Sequence, residues 1–304
     1  MKIIEGLSPY EFDTDENGLP TFTQKNIAFL NGILRYDSNY STSSDKSNSE
    51  YQNSYAGLLE NTDFFSFPPL RDSEGYDELG ERIDVLYKVI ESIDKINSTH
   101  LSSEGNSKKD NGTSNEKRNK GRAKVAAKIR EIGGQNLNNL LENADTEIVN
   151  KIADSLVGGK HNFSFATKFC SYVSIHALGK DNYCIYDEIL QSVLPYYAYM
   201  YVDDFKKKYP YIYKTINATK SNGYKTRNES LVYQYKIDDN YAGYKKLIDE
   251  IINGIKNKTG ENISYADFDH LVWYYFKGSK NKILFAMSKL PENKVSRKTT
   301  TKTI

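Results

Sequence analysis

Helical periodicity recurs along most of this chain and restricts its possible folds more than any other feature. Apolar residues spaced three and four apart mark one face of an amphipathic helix. The pattern predicts helices over about 26–35, 76–97, 122–144, 146–157, 164–177, 241–258 and 264–276. Another helix begins near Asp187, and Pro195 is expected to kink or end it. We therefore expect a mainly α fold.

Polar stretches separate these helices and indicate how the chain is divided. Residues 1–75 are expected to be irregular with one short helix, and a longer helix follows over 76–97. The basic stretch over 98–121 is rich in Ser, Asn, Gly and Lys, which is typical of a disordered linker. The helical body is expected over 122–290, and a disordered basic tail over 291–304.

Composition excludes several classes of protein. The 304 residues include two cysteines and four histidines, too few for a disulfide framework or a recognisable zinc pattern, so neither a metal nor a cofactor is expected. The N-terminus lacks the apolar run of a signal peptide, and no stretch approaches the roughly 18 apolar residues of a membrane span. We expect a cytoplasmic protein with no membrane partner.

Two local basic runs contrast with a formal net charge of only +1. Residues 107–130 contain nine Lys or Arg against two acids, and residues 277–304 contain eight against one. These runs can be a solvated linker and tail. They can also add phosphate affinity through counterion release if a DNA groove lies nearby.

The segment 156–190 contains the residues that are the best candidates for a binding or catalytic role. The pattern indicates a helix end, a short turn and a second helix, and the backbone N–H groups of such a hairpin can hold a DNA phosphate without reading the base sequence. The candidate phosphate-binding turn consists of Gly158, Gly159, Lys160, His161 and Asn162.

Lys168 lies on the second helix of this hairpin. At about 100° per residue it points away from the apolar stripe of its own helix, on the side of Phe165 and Tyr172. A cleft walled by these rings would favour an uncharged amine that can act as a nucleophile. The simpler interpretation is a solvated surface lysine.

Asp187 directly precedes an apolar helical run. An aspartate in this position is a natural N-cap, because its carboxylate can accept hydrogen bonds from the exposed N–H groups of the first turn. The positive end of the helix dipole also favours the anion. Asp187 can therefore be a cap, a carboxylate with a chemical role, or both.

A resemblance to a known family rests on the run FSFATKF over 163–169 and on the aspartate nineteen positions after its lysine, in IYD over 185–187. These residues resemble the helix-hairpin-helix DNA glycosylases, most closely the bacterial 8-oxoguanine glycosylase-like branch. Residues 267–277 are loosely similar to the final helix of that branch. The chain departs from the family in its turn, which lacks the usual Gly-hydrophobic-Gly pattern, and in the link over 174–180.

The resemblance implies a helix-hairpin-helix glycosylase-like domain that removes a damaged or modified base, such as 8-oxoguanine, from double-stranded DNA. Lys168 would attack the anomeric carbon of a flipped nucleotide, and the resulting imine would permit AP lyase cleavage by β-elimination. Asp187 would stabilise the cationic sugar and help to activate the amine. Phe165 and Tyr172 are the candidates for the base pocket.

Two other classes of function stay open at this point. One is a catalytically inactive DNA- or protein-binding module of the same fold, for example within a phage-defence system. The other is a helical interaction protein without a nucleic-acid partner. The sequence predicts no specific protein partner for any of these.

Overall fold

The computed structural model describes residues 11–34, 54–67, 85–97, 114–155, 161–209 and 241–277, with the single positions 52, 99, 101, 282, 283 and 286. These residues form a mainly α-helical protein, as the periodicity predicts. Within these ranges, β structure is limited to an isolated bridge between Thr14 and Pro20. None of the helices described is long and apolar enough to cross a membrane.

Eleven α-helices and one 3-10 helix occur in the described ranges. In chain order they are α1 (Gln24–Leu34), α2 (Tyr55–Glu60), the 3-10 helix (Phe64–Ser66), α3 (Val85–Asn97), α4 (Ser114–Ile132), α5 (Gly134–Glu142), α6 (Glu147–Ala153), α7 (Phe163–Leu178), α8 (Glu188–Tyr201), α9 (Phe205–Lys208), α10 (Tyr241–Thr259) and α11 (Tyr265–Phe276).

The helices pack as two groups that share one continuous hydrophobic core. The first group contains α2 to α7 with the 3-10 helix, and the second contains α1 and α8 to α11. Helix α10 packs against α6 and joins the groups, and there the Tyr241 N–H donates to Asn150 Oδ1 over 3.3 Å. The chain crosses from the first group to the second through the non-helical residues 179–187.

Helix α7 is enclosed by its neighbours. It packs against α2, α3, α5 and α6, and every residue from Phe165 to Ser174 is buried. It ends at Gly179, whose φ of 65° is the left-handed conformation that glycine adopts without strain. The chain then turns and runs back toward the start of α7 as the connection to α8.

Residues 11–34 belong to the second group. Phe22 stacks on Phe268 of α11 with a ring-centroid distance of 5.3 Å, and it makes an edge contact with Tyr197 of α8. The Tyr196 hydroxyl donates to Asp15 Oδ2. The N-terminal part of the chain therefore packs beside the C-terminal helices, and the tyrosine rings of α8 are core residues.

Three expectations about the elements are corrected by the structure. The N-terminal region contains a second helix, α2, and the 3-10 helix. The aromatic rings of Tyr55 in α2 and of Phe64 and Phe65 in the 3-10 helix pack in the hydrophobic core. The stretch expected to be a linker up to Gly121 is helical from Ser114, where α4 begins. Pro195 does not end its helix, since α8 continues to Tyr201 and buries most of its last two turns, while a kink at Pro195 stays a prediction.

The remaining boundaries follow local signals. The helix predicted over 122–144 is divided at Gly133, whose φ is 79°. The predicted helix over 76–97 is described from Val85, where Leu86, Val89 and Ile90 form its buried face. Residues 76–84 and the expected tail over 291–304 lie outside the described residues.

Candidate functional site

The connection from α7 to α8 is held by side chains from both helical groups. The Tyr241 hydroxyl of α10 donates to the Cys184 carbonyl over 3.0 Å and accepts from the Cys184 N–H over 2.7 Å. Thr167 Oγ1 of α7 accepts from the Tyr186 N–H over 3.1 Å. Because Thr167 directly precedes Lys168 and Tyr186 directly precedes Asp187, this bond holds the end of the connection against α7, the helix that carries Lys168.

Asp187 is the N-cap of α8. Its backbone is extended, and its Oδ1 accepts from the Leu190 N–H over 2.8 Å. This cap is the one that the sequence predicts. Asp187 is also 8% exposed, so its carboxylate lies inside the protein rather than on a free helix end.

Lys168 is buried, with 7% of its surface exposed. The interpretation as a solvated surface lysine is therefore wrong. Periodicity placed Lys168 opposite one apolar stripe, but α7 is covered on every side along this length. Lys168 makes no direct ion pair or side-chain hydrogen bond with the residues that the structure describes.

Asp269 of α11 is a third charged group at this position. It is buried, with 6% of its surface exposed, and its Oδ1 has no hydrogen-bond partner among the described residues. Burial raises the pKa of the Asp269 carboxyl to about 8, with further upward contributions from Asp187 and Asp181, while Lys168 lowers it. Lys168 and Asp187 therefore both lie within electrostatic reach of Asp269. We call these three residues the junction site, because the lysine comes from the first helical group, Asp269 from the second, and Asp187 from the end of the connection between them.

Asp269 was not singled out from the sequence, although a usable signal existed. It follows Phe268 and precedes Leu271 and Val272, all of which are buried on α11. An acid within the apolar face of an amphipathic helix has to be neutralised, paired or protonated. Only the packing of α11 shows that its neighbours are Lys168 and Asp187.

A cavity of about 450 Å³ lies at the start of α11, between α10 and the connection that follows α7. Neither Lys168 nor Asp187 lines it. Asp181 lines this cavity and also contributes to the raised pKa of Asp269. The lining residues are Asp181, Asp249, Ile252, Asn253, Ile263, Ser264 and Tyr265.

The two rings expected to form a base pocket are core residues instead. Phe165 is buried and stacks on Phe169 with a centroid distance of 5.9 Å. Tyr172 stacks on Tyr55 at 4.4 Å, and its hydroxyl donates to Asn97 Oδ1 over 3.0 Å. These contacts correct the sequence-based assignment, because both rings pack inside the first helical group and neither lines an open cleft.

Part of the predicted phosphate-binding turn can be located. Gly158, Gly159 and Lys160 lie outside the described residues, whereas His161 and Asn162 lie at the entrance to α7. His161 is exposed, with its Nδ1 2.7 Å from Asp154 Oδ1. The Asn162 N–H donates to the Ala153 carbonyl over 3.0 Å, which closes the turn between α6 and α7.

Burial makes the two cysteines poor candidates for a nucleophile. Cys170 and Cys184 are both free and buried. Burial raises the pKa of the Cys184 thiol to about 12, and it raises that of Cys170 as well. Within the described part of the chain, no group of three or more His, Cys, Asp or Glu side chains is arranged to hold a metal ion.

Comparison with known proteins gives one family match. A family model described as HI_0787_N, N-terminal domain, matches residues 81–177. No curated protein and no solved structure matches the chain. The matched range extends from just before α3 almost to the end of α7, so it includes Lys168 and leaves out Asp187 and Asp269.

Proposed function

We propose that this chain is a DNA glycosylase with lyase activity that removes a damaged or modified base such as 8-oxoguanine. The observation that carries the proposal is the burial of Lys168 and Asp187, both of which act electrostatically on the buried carboxyl of Asp269. An amine and a carboxylate are the two groups that the resemblance to helix-hairpin-helix glycosylases assigns to the reaction. Ligand sites also occur preferentially where two packed units meet.

The proposed reaction uses Lys168 as the nucleophile. Attack by Nζ forms a bond to C1′ and breaks the glycosidic bond, and the electron pair leaves with the base, which takes up the proton that the amine loses. The nitrogen lone pair then forms the C=N bond of an imine as the C1′–O4′ bond breaks, and O4′ keeps that electron pair and takes up a proton from water. Loss of a C2′ proton to water then expels the 3′ phosphate with the electron pair of the C3′–O bond. Asp187 stabilises the positive charge that develops on the sugar.

The charge state of the junction site suits this division of roles. Because the pKa of Asp269 is raised to about 8, its carboxyl is mainly protonated near neutral pH. Asp187 is held as an acceptor by the first turn of α8. No direct ion pair to a described residue has to break before Lys168 can react.

A flipped nucleotide reaches these groups only if the protein moves. Lys168 and Asp187 are 7% and 8% exposed, so the site is closed in this conformation. Its members come from different helical groups, and separation of α7 from α8 and α11 would open it. The proposal therefore includes an opening of this junction when DNA binds.

Borohydride trapping tests the proposal directly. The full chain is incubated with duplexes that contain 8-oxoguanine or an abasic site, and sodium borohydride reduces any imine to a stable adduct. We expect an adduct and a nicked strand with the wild-type chain and neither with Lys168→Gln. Lys180→Gln is the matched control, because Lys180 is exposed just after the same helix.

The outcomes separate the three classes of function. An adduct that persists in Lys168→Gln would remove Lys168 as the nucleophile. Salt-dependent DNA binding without any adduct or base release would favour a catalytically inactive binding module of this fold. Absence of DNA binding at low salt would favour a helical interaction protein without a nucleic-acid partner.

A further inference from the structure

The first turns of α4 are helical without contributing to the core. Among the side chains described between Glu116 and Lys120, none is buried, and burial begins at Gly121. A helix end whose side chains are not buried gains little stability from its surroundings. This part of α4 therefore presents its side chains outward from the first helical group.

The orientation of α4 is fixed by its buried half. Arg122 is 4% exposed at its side chain and makes ion pairs with Asp94 over 2.9 Å and with Glu91 over 2.8 Å, both on α3. Val125 and Ile129 are fully buried on the same helix. Rotation of α4 would break these contacts, so the opposite face is held toward solvent.

Lysines occupy that outward face in a row. Lys117, Lys120, Lys124 and Lys128 lie within about 80° of one another around the helix and span about 16 Å along it. Lys120 and Lys124 are exposed and make no ion pair with any residue in the described ranges. Lys128 is half-buried and pairs with Glu131 over 2.8 Å. We call these four residues the lysine row.

We infer that the lysine row binds the phosphate backbone of duplex DNA, an inference that rests on the proposed function and adds a second contact surface to it. A strand of B-DNA carries about one phosphate per 3.4 Å of axis, so a row of about 16 Å faces roughly five of them. Lysines on flexible stems suit such contacts, which hold DNA without reading its sequence.

A membrane surface is a poorer match for the same charges. A helix that lies on a bilayer inserts an apolar face between the lipids. The apolar face of α4 is already used, because Val125, Ala126 and Ile129 are buried in the core. The row thus presents charge without an accessible apolar side.

The test compares two double variants of the full chain that remove the same charge. Lys120→Gln with Lys124→Gln neutralises the centre of the row. Lys246→Gln with Lys256→Gln is the control, because these two exposed lysines lie on α10. Affinity for a fluorescent duplex of undamaged DNA is measured from low to moderate salt. The row variant is expected to bind about tenfold or more weakly near 0.1 M salt, and the slope of log K against log salt should fall by about 2.

The readouts distinguish this inference from the proposed activity. At low salt and saturating protein, the row variant should still form the borohydride adduct if the wild type does. If the wild type forms no adduct, but the row variant shows the smaller slope of log K against log salt for duplex DNA, the glycosylase proposal fails and the lysine row remains a DNA-binding surface. Equal affinities and slopes for the row and control variants would overturn the inference. Row-dependent binding to vesicles with anionic lipid, without row-dependent DNA binding, would also overturn it.

Discussion

Asp269 is the residue whose ionisation should be visible in the stability of the protein. The folded chain holds its proton more tightly than the unfolded chain, because its pKa rises from an ordinary value of 3.8 to about 8. The protonated Asp269 therefore contributes its full share to the stability of the wild type below about pH 4, and this contribution should be lost as the pH rises toward about 8. Asp269→Asn removes this dependence. We expect the free energy of unfolding of the variant, relative to the wild type, to increase by about 1 kcal/mol per pH unit between about pH 5 and 7.

Urea denaturation of both chains over a series of pH values measures this difference. Parallel pH profiles for the wild type and Asp269→Asn would contradict it. They would mean that the buried carboxyl does not hold its proton more tightly in the folded state.

Asp187 has two roles that a pair of substitutions can separate. Asp187→Asn keeps a side-chain oxygen for the Leu190 N–H and should change the free energy of unfolding by less than about 0.5 kcal/mol, whereas Asp187→Ala should cost about 1 kcal/mol. Within the proposed function, both should lower single-turnover base release, because both remove the anion. Lower stability of Asp187→Asn with unchanged activity per folded molecule would leave capping as its only role.

Helix α10 depends on glycine where it crosses α8. A Cβ at Gly254 would lie 1.9 Å from the Tyr201 carbonyl oxygen, so the two helices have to separate to accept one. We expect Gly254→Ala to lower the free energy of unfolding by about 3 kcal/mol in chemical denaturation. Gly32→Ala is the control, because it lies in α1 with nothing within 4 Å and should gain up to about 1 kcal/mol. Similar effects of the two substitutions would contradict the close crossing.

The described residues fold as two helical groups, and the range matched by the family model does not contain a complete group. Residues 81–177 lack α2, whose Tyr55 stacks on Tyr172, and they lack Tyr183, whose hydroxyl donates to the Asp145 carbonyl over 3.0 Å. We expect a fragment of residues 81–177 to melt without a cooperative transition when followed by circular dichroism. A fragment of residues 51–187 should be more cooperative, because it restores both contacts. A sharp transition in the shorter fragment would show that these contacts are dispensable.

Local sequence was sufficient for most of the longer helices and for the cap at Asp187. The buried face of α3, the end of α7 at a glycine and the N-cap of α8 all depend on residues within a few positions of one another. Such signals act through hydrogen bonds and spacing along a single helix, so they can be recognised without knowledge of the neighbours.

Tertiary packing decided the surroundings of those helices. Periodicity describes one face against one neighbour, whereas α7 has neighbours on every side, so Lys168 is buried and the rings of Phe165 and Tyr172 are enclosed. Asp269 approaches Lys168 and Asp187 from a helix about a hundred residues from the lysine, and no local pattern encodes that approach. Burial and electrostatics depend on distance in space, and for these residues that distance is set by how the two helical groups meet.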